Sequence, residues 1–136
     1  MIKVIMGLKG SGKTQQLVDM VNASIEKEKG SVICIERGKR LTYNINYKAR
    51  LIDISNYSVD SYAMLKGFIS GLYAGNYDIE HIYLDSLYKL SSDDCLVAAE
   101  DFLDWLEKFR DANGVKFTVT ISAAVEDASE GIKKYF

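Results

Sequence analysis

Proline is absent from the 136 residues, so chain reversals must be read from glycine, asparagine, aspartate and serine. Only two cysteines occur. Cys34 lies in an apolar run and Cys95 near an expected helix start. That separation fits neither a C-x-x-C pair nor zinc-ligand spacing, and reduced thiols in a cytoplasm are the simpler expectation. The one histidine, His81, opens an expected strand, where a structural side chain is expected rather than a catalytic one. No apolar run approaches the roughly 20 residues that cross a bilayer, and since Met1-Ile2-Lys3 leads straight into an expected apolar strand, no signal peptide is expected. Charge of one sign is also missing. Seventeen basic residues stand against 19 acidic ones, for a net charge of −2, so nothing global points to nucleic acid, although a local basic patch stays open as a contact.

What is present is a balanced globular composition, 48% hydrophobic and 26% charged, in a chain long enough for one domain with its own core and too short for two. Residues 1–136 are therefore read as a single domain. Its dominant feature is Gly7-Leu8-Lys9-Gly10-Ser11-Gly12-Lys13-Thr14, which satisfies G-x-x-x-x-G-K-[ST] at every specified position. Glycines at 7, 10 and 12 are expected to adopt conformations closed to residues with a Cβ, so that successive N–H groups converge on a phosphate. Lys13 is expected to reach the β- and γ-phosphate oxygens and the Thr14 hydroxyl to hold Mg²⁺. The anion site is completed by the first turn of the following helix, and Gln15 is counted with the loop.

The flanks have the required order. Met1-Ile2-Lys3-Val4-Ile5-Met6 reads as a buried strand, and Leu17, Val18, Val21 and Ile25 recur at helical spacing toward a terminating Gly30. Ser31 to Glu36 reads as a second buried strand ending on a carboxylate, followed by the basic turn Arg37-Gly38-Lys39-Arg40. Leu41 to Tyr47 alternates polar and apolar, as an edge strand or an extended loop with one covered face would. Leu51 to Ile54 is a short strand, and Ser55 to Ser58 supplies caps for a helix from Val59 to Ala74. That helix is apolar nearly all round, and Gly67 and Gly71, one turn apart, are expected to pack tightly against a neighbour. Ile79 to Leu84 is a strand that reaches Asp85. Ser91 to Asp94 should cap a helix whose stripe is Leu96, Ala99, Phe102, Leu103, Leu106 and Phe109, with Trp105 as packing and Gly114 near the end. Lys116 to Ser122 is the last strand, and Glu126 to Tyr135 a final short helix. The expected fold is α/β, a three-layer α/β/α sandwich on a mostly parallel sheet.

Residues 7 to 14, with Asp85 in the place of a Walker B acid, resemble the P-loop NTPases. The order of elements resembles their additional-strand branch, which includes RecA-like and AAA-type ATPases. That resemblance implies that Phe117 to Ser122 inserts between the P-loop strand and the Asp85 strand, with Thr120 or Ser122 as a sensor facing the γ-phosphate. It further implies that Asp85 accepts a hydrogen bond from Thr14 or from Mg²⁺-bound water. The chain also resembles small bacterial P-loop proteins labelled PilT-like, but the acidic and histidine boxes and added N-terminal domain of PilT motors are missing. The Asn-Lys-x-Asp guanine motif and the switch glycine of Asp-x-x-Gly are absent too, which leaves adenine nucleotide by elimination. Lys9 differs from the extra lysine of partition-type ATPases, since Leu8 intervenes after the first glycine, and an exposed shoulder of the loop is expected for it.

The implied function is ATP·Mg binding, with slow hydrolysis stimulated by a protein partner or self-association. Catalytic candidates are Lys13, Asp85 and Glu36, the last as a base that positions water, with Glu126 as second choice; Ser86 stands where many such ATPases carry a glutamate. Arg37 and Arg40 are candidates for stabilising phosphate or contacting nucleic acid. Two alternatives stay open: a nucleotide or nucleoside kinase, and a non-catalytic module in which nucleotide is a structural or signalling ligand.

Overall fold

Five β-branched and aliphatic runs form one parallel sheet: β1 (Ile2–Gly7), β2 (Ser31–Glu36), β3 (Arg50–Asp53), β4 (Ile79–Leu84) and β5 (Lys116–Ser122), in the order β1-β5-β4-β2-β3. They are seen in a computed structural model that describes residues 2–39, 41 and 44–136. The helices are α1 (Lys13–Lys27), α2 (Tyr62–Gly75), α3 (Leu87–Ser91), α4 (Leu96–Asn113) and α5 (Glu130–Lys133). Strand β5 pairs with both β1 and β4, the insertion expected of Phe117 to Ser122.

Successive residues of a strand face opposite ways, and here the two sets meet different partners. Ile33, Ile35, Ile82, Leu84, Phe117, Val119 and Ile121 join Leu65 and Ile69 of α2, Phe102, Leu103 and Leu106 of α4, and Ile132 of α5 in the larger apolar cluster. Val32, Cys34 and Tyr83 look the other way, toward Leu17, Val18 and Val21 of α1 and the loop residues Leu41, Ile45 and Ala49. The result is the α/β/α sandwich.

Several local expectations are corrected. Helix α1 stops at Lys27 with Glu28 as its extended C-cap, so Gly30 is not the cap. Gly30 is small for another reason: a Cβ there would collide with the Asp78 carbonyl and the Glu80 side chain. From Leu41 to Tyr47 the described residues form turns instead of a strand, with Asn44 N and Ile45 N both donating to Leu41 O. The buried positions 41, 45 and 49 recur every fourth residue, which an alternating reading misses; Thr42 and Tyr43 lie outside the described residues. Ser55 does not cap α2 but bonds Asp53 across a 3₁₀ turn (Ile54–Asn56), while Ser61 Oγ takes the Met64 N–H at 3.1 Å.

Helix α2 is less enclosed than its composition suggests, with Leu65 and Ile69 as its buried residues. Gly67 and Gly71 are exposed, and a Cβ on either would meet nothing within 4 Å, so tight packing is not their role. Ser91 belongs to α3, and α4 is capped by Cys95, whose N–H donates to Asp93 Oδ1 at 2.9 Å. The final helix is a 3₁₀ turn (Val125–Asp127) followed by the single turn of α5. Trp105 packs between Phe102 and Phe109, as expected. Among the described residues no helix is long and apolar enough to cross a membrane.

Candidate functional site

Strand β1 delivers the chain to a tight bend in which Ser11 N donates to Leu8 O at 3.1 Å. Gly10 (φ 85°) and Gly12 (φ 86°) hold left-handed conformations that a side chain would oppose. Gly7 does not, and its smallness has a different cause, since a Cβ there would lie 2.5 Å from Ser11 Oγ. Gly12 is the N-cap of α1 and makes no side-chain cap bond; the first helical bond runs from Gln16 N to Gly12 O at 3.0 Å. The amides of Lys13, Thr14 and Gln15 precede that bond and are the unpaired donors of the helix end.

Lys13 is buried and turned into the bend, its Nζ donating to Leu8 O at 3.0 Å and lying 3.5 Å from Ser11 Oγ. Burial lowers its pKa, and the nearby Asp85 carboxylate works the other way. Above it opens a depression of about 460 Å³ lined by Lys9, Gly10, Gly12, Lys13, Thr14, Gln15, Ser86, Lys89 and Ser122. Lys9 is exposed at this rim, as expected, and so is the Leu8 side chain beside it. The Gln15 amide donates to Asp19 at 2.9 Å, along its own helix.

Asp85 follows β4 directly and is buried, with its backbone N–H on Ile35 O at 3.0 Å. Thr120 Oγ1 donates to Asp85 Oδ1 at 2.9 Å and accepts the Ser86 N–H at 2.7 Å. The hydroxyl bonded to the acid is therefore that of Thr120, where the resemblance named Thr14 or a Mg²⁺-bound water; Thr14 is exposed and lines the depression. The sensor expectation divides in the same way: Thr120 is buried against Asp85, and Ser122 is the exposed member that lines the depression.

Glu36 is no solvated loop acid. It is buried at the end of β2, one position beyond the Ile35–Leu84 pair and thus beside Asp85, and its Oε2 accepts the Leu41 N–H at 3.3 Å. Both carboxylates lie on the α1 side near Cys34, whose thiol is pushed up by burial and then by the charges of Asp85 and Glu36. Glu36 lines a separate cavity of about 360 Å³ along β3, with Lys39, Asp53 and Tyr57, and not the phosphate-sized depression. The expected water-positioning base therefore stands beside Asp85 and outside the lining of the depression. Glu126 is exposed in the turn after β5.

Arg37 is likewise not free to reach a ligand. Its Nε donates to Lys89 O at 2.7 Å, and its Nη2 donates to Val59 O and, at 3.4 Å, to Leu90 O. It ties β2 to the last turn of α3. Arg40 lies outside the described residues. Sequence reasoning missed Ser86 and Lys89, which the spacing of three between two polar positions after Asp85 would have placed on one side of a helical turn.

His81 sits at the far end of the sheet, stacked on Tyr83 at 4.0 Å between centroids, with Nε2 2.9 Å from Thr118 Oγ1. Burial lowers its pKa to about 4, against the opposing pull of Glu28, so it is a neutral structural side chain. Among the described residues no three His, Cys, Asp or Glu side chains are grouped to hold a metal by themselves. No protein-family model matches the chain, and no curated protein resembles it closely enough to count as a match.

Proposed function

We propose that this chain is an ATP-binding protein of the P-loop NTPase type, taking the triphosphate in the depression over residues 7–15 with Mg²⁺ at its edge. The observation that carries the reading is the conjunction of two left-handed glycines, an uncapped helix start and a buried lysine at one bend. The backbone amides and α1's positive end face the phosphates, while Lys13 exchanges its Leu8 carbonyl for a phosphate oxygen. The donor set also suits Mg²⁺, which prefers octahedral oxygen with several waters and phosphate ligands over an all-protein cage. Thr14 Oγ1 would hold it directly, and Asp85 would order its waters from behind. The ion supplies charge neutralisation along the phosphate chain. A cytoplasmic setting goes with this reading, as both cysteines are free thiols.

Hydrolysis is slow in this reading, because Glu36 and Arg37 are held by their own fold, and a second copy or a protein partner supplies the missing group. Arg37 favours one further reading: with its guanidinium committed to backbone carbonyls, bound nucleotide acts as a structural or signalling ligand and no phosphate is released.

Calorimetry on the intact chain tests the core of this. ATP·Mg should bind, Lys13→Ala should weaken it at least about tenfold, roughly one charged hydrogen bond, and Asp85→Ala should lose the gain from Mg²⁺ while keeping metal-free binding. No heat from folded protein with ATP, ADP, GTP or GDP overturns the reading. Phosphate release separates slow hydrolysis from a silent ligand, which would raise the melting temperature alone.

A further inference from the structure

Three lysines line the depression, and the third belongs to neither the glycine loop nor any recognised motif. Lys89 is exposed on α3, four residues beyond Asp85, and forms none of the ion pairs found among the described residues. The described lining holds Lys9, Lys13 and Lys89 and no carboxylate; Asp85 is buried behind it. Lys9 and Lys89 present exposed ammonium groups at one concavity whose floor holds Lys13, so an entering anion meets positive charge with no carboxylate in the lining.

The placement of Lys89 is built rather than loose. Its N–H donates to Ser86 O at 2.8 Å, and its carbonyl accepts from Arg37 Nε at 2.7 Å. A second Arg37 nitrogen holds the next carbonyl, Leu90 O, at 3.4 Å. Arg37, just beyond β2, thereby fixes the turn that carries Lys89, while the side chain is left exposed. That turn follows β4 and so lies across β5 from the glycine loop that follows β1. A lysine stem with a fixed root and a free head suits a point charge that meets a ligand's outer end.

From this arrangement we infer that Lys89 is the residue that distinguishes a triphosphate from a diphosphate, contacting the terminal phosphate from the side opposite Lys13, with Arg37 as its positioning residue. The inference rests on the nucleotide reading above. The loop amides hold the inner phosphates common to ATP and ADP and Lys13 spans the β- and γ-phosphates, whereas Lys89 meets only charge that the longer chain carries.

Titration calorimetry of the full chain with ATP and with ADP, both with Mg²⁺, for wild type, Lys89→Ala and Lys89→Arg decides it. In wild type, ATP should bind more tightly than ADP. Lys89→Ala should weaken ATP about tenfold and ADP less than about threefold, the loss expected of one charged contact, and Lys89→Arg should restore most of the preference. Inorganic tripolyphosphate should follow the ATP pattern. An exposed position leaves folding intact, checked by an unchanged melting temperature. Equal losses for ATP and ADP, or none, in a protein whose wild type binds ATP overturn the role of Lys89 and leave the nucleotide reading standing. A wild type that binds neither nucleotide overturns both.

Discussion

The two faces of the sheet are made by the same five strands and yet differ in kind. Toward α2, α4 and α5 the buried strand side chains are aliphatic or aromatic throughout. Toward α1, apolar Val32 and Cys34 stand beside Thr118, Thr120, Tyr83, Glu36 and Asp85, all buried. Polar groups out of water are tolerated when they are bonded, and these are: Thr118 to His81, Thr120 to Asp85, Glu36 to Leu41 N, and Tyr83 to Ser24 and Met20 O. The difference teaches where the molecule is stabilised. Non-directional apolar burial is concentrated on one face, and the other is held by specific pairings on the side that carries the glycine loop.

The strongest way to break this contrast is to remove an anchor of the apolar face. Phe102→Ala should cost about 3–5 kcal/mol in urea unfolding, from lost burial plus the cavity left behind, with nucleotide affinity of the folded fraction unchanged. A comparable fall in affinity would mean the faces are not separable. The next effect belongs to the polar face and to pH. His81 takes a proton near 6.5 in the unfolded chain but only near pH 4 when folded, because burial opposes the charge. The unfolded state therefore binds more protons between those values, and stability should fall by roughly 3 kcal/mol as pH drops through that window. In His81→Asn that component should be lost, so that it stands as the difference between the two pH profiles; coincident profiles would remove His81 from the account. Smallest, and opposite in sign, is Gly67→Ala on the exposed side of α2. With open space for a Cβ, it should stabilise by about 0.4–1 kcal/mol, and a loss would reinstate the tight-packing role assigned to that glycine from its spacing.

Much of this was legible from residues alone. Strand β5 was read with its observed bounds, because an apolar run directly follows the left-handed Gly114 that closes α4. The glycine loop announced itself by fixed spacing, and the α4 stripe by its period. What escaped depended on partners remote in the chain. Arg37 looked like a free basic turn because its acceptors, Val59 O and the carbonyls of Lys89 and Leu90, lie 22 to 53 residues away. The resemblance pairs Asp85 with Thr14 or with a Mg²⁺-bound water, while the hydroxyl bonded to it, that of Thr120, arrives from a strand 35 residues on. Gly67 and Gly71 share one side of α2, but spacing alone does not say whether that side is inner or outer; Leu65 and Ile69 decide it. The described residues between 41 and 49 mimic a strand because a loop, too, can bury every few side chains, here Leu41, Ile45 and Ala49.

One hydroxyl described above has an outsized reach. Thr120 Oγ1 offers its hydrogen to Asp85 and a lone pair to the Ser86 amide, at a residue with φ of 61° that begins the turn leading to Lys89. Ser86 occupies the left-handed region at some energetic cost, and this amide is among the contacts that keep it there. A strand residue 34 positions away thus sets the start of the α3 turn, and removing its hydroxyl would strand a buried carboxylate and a strained amide together.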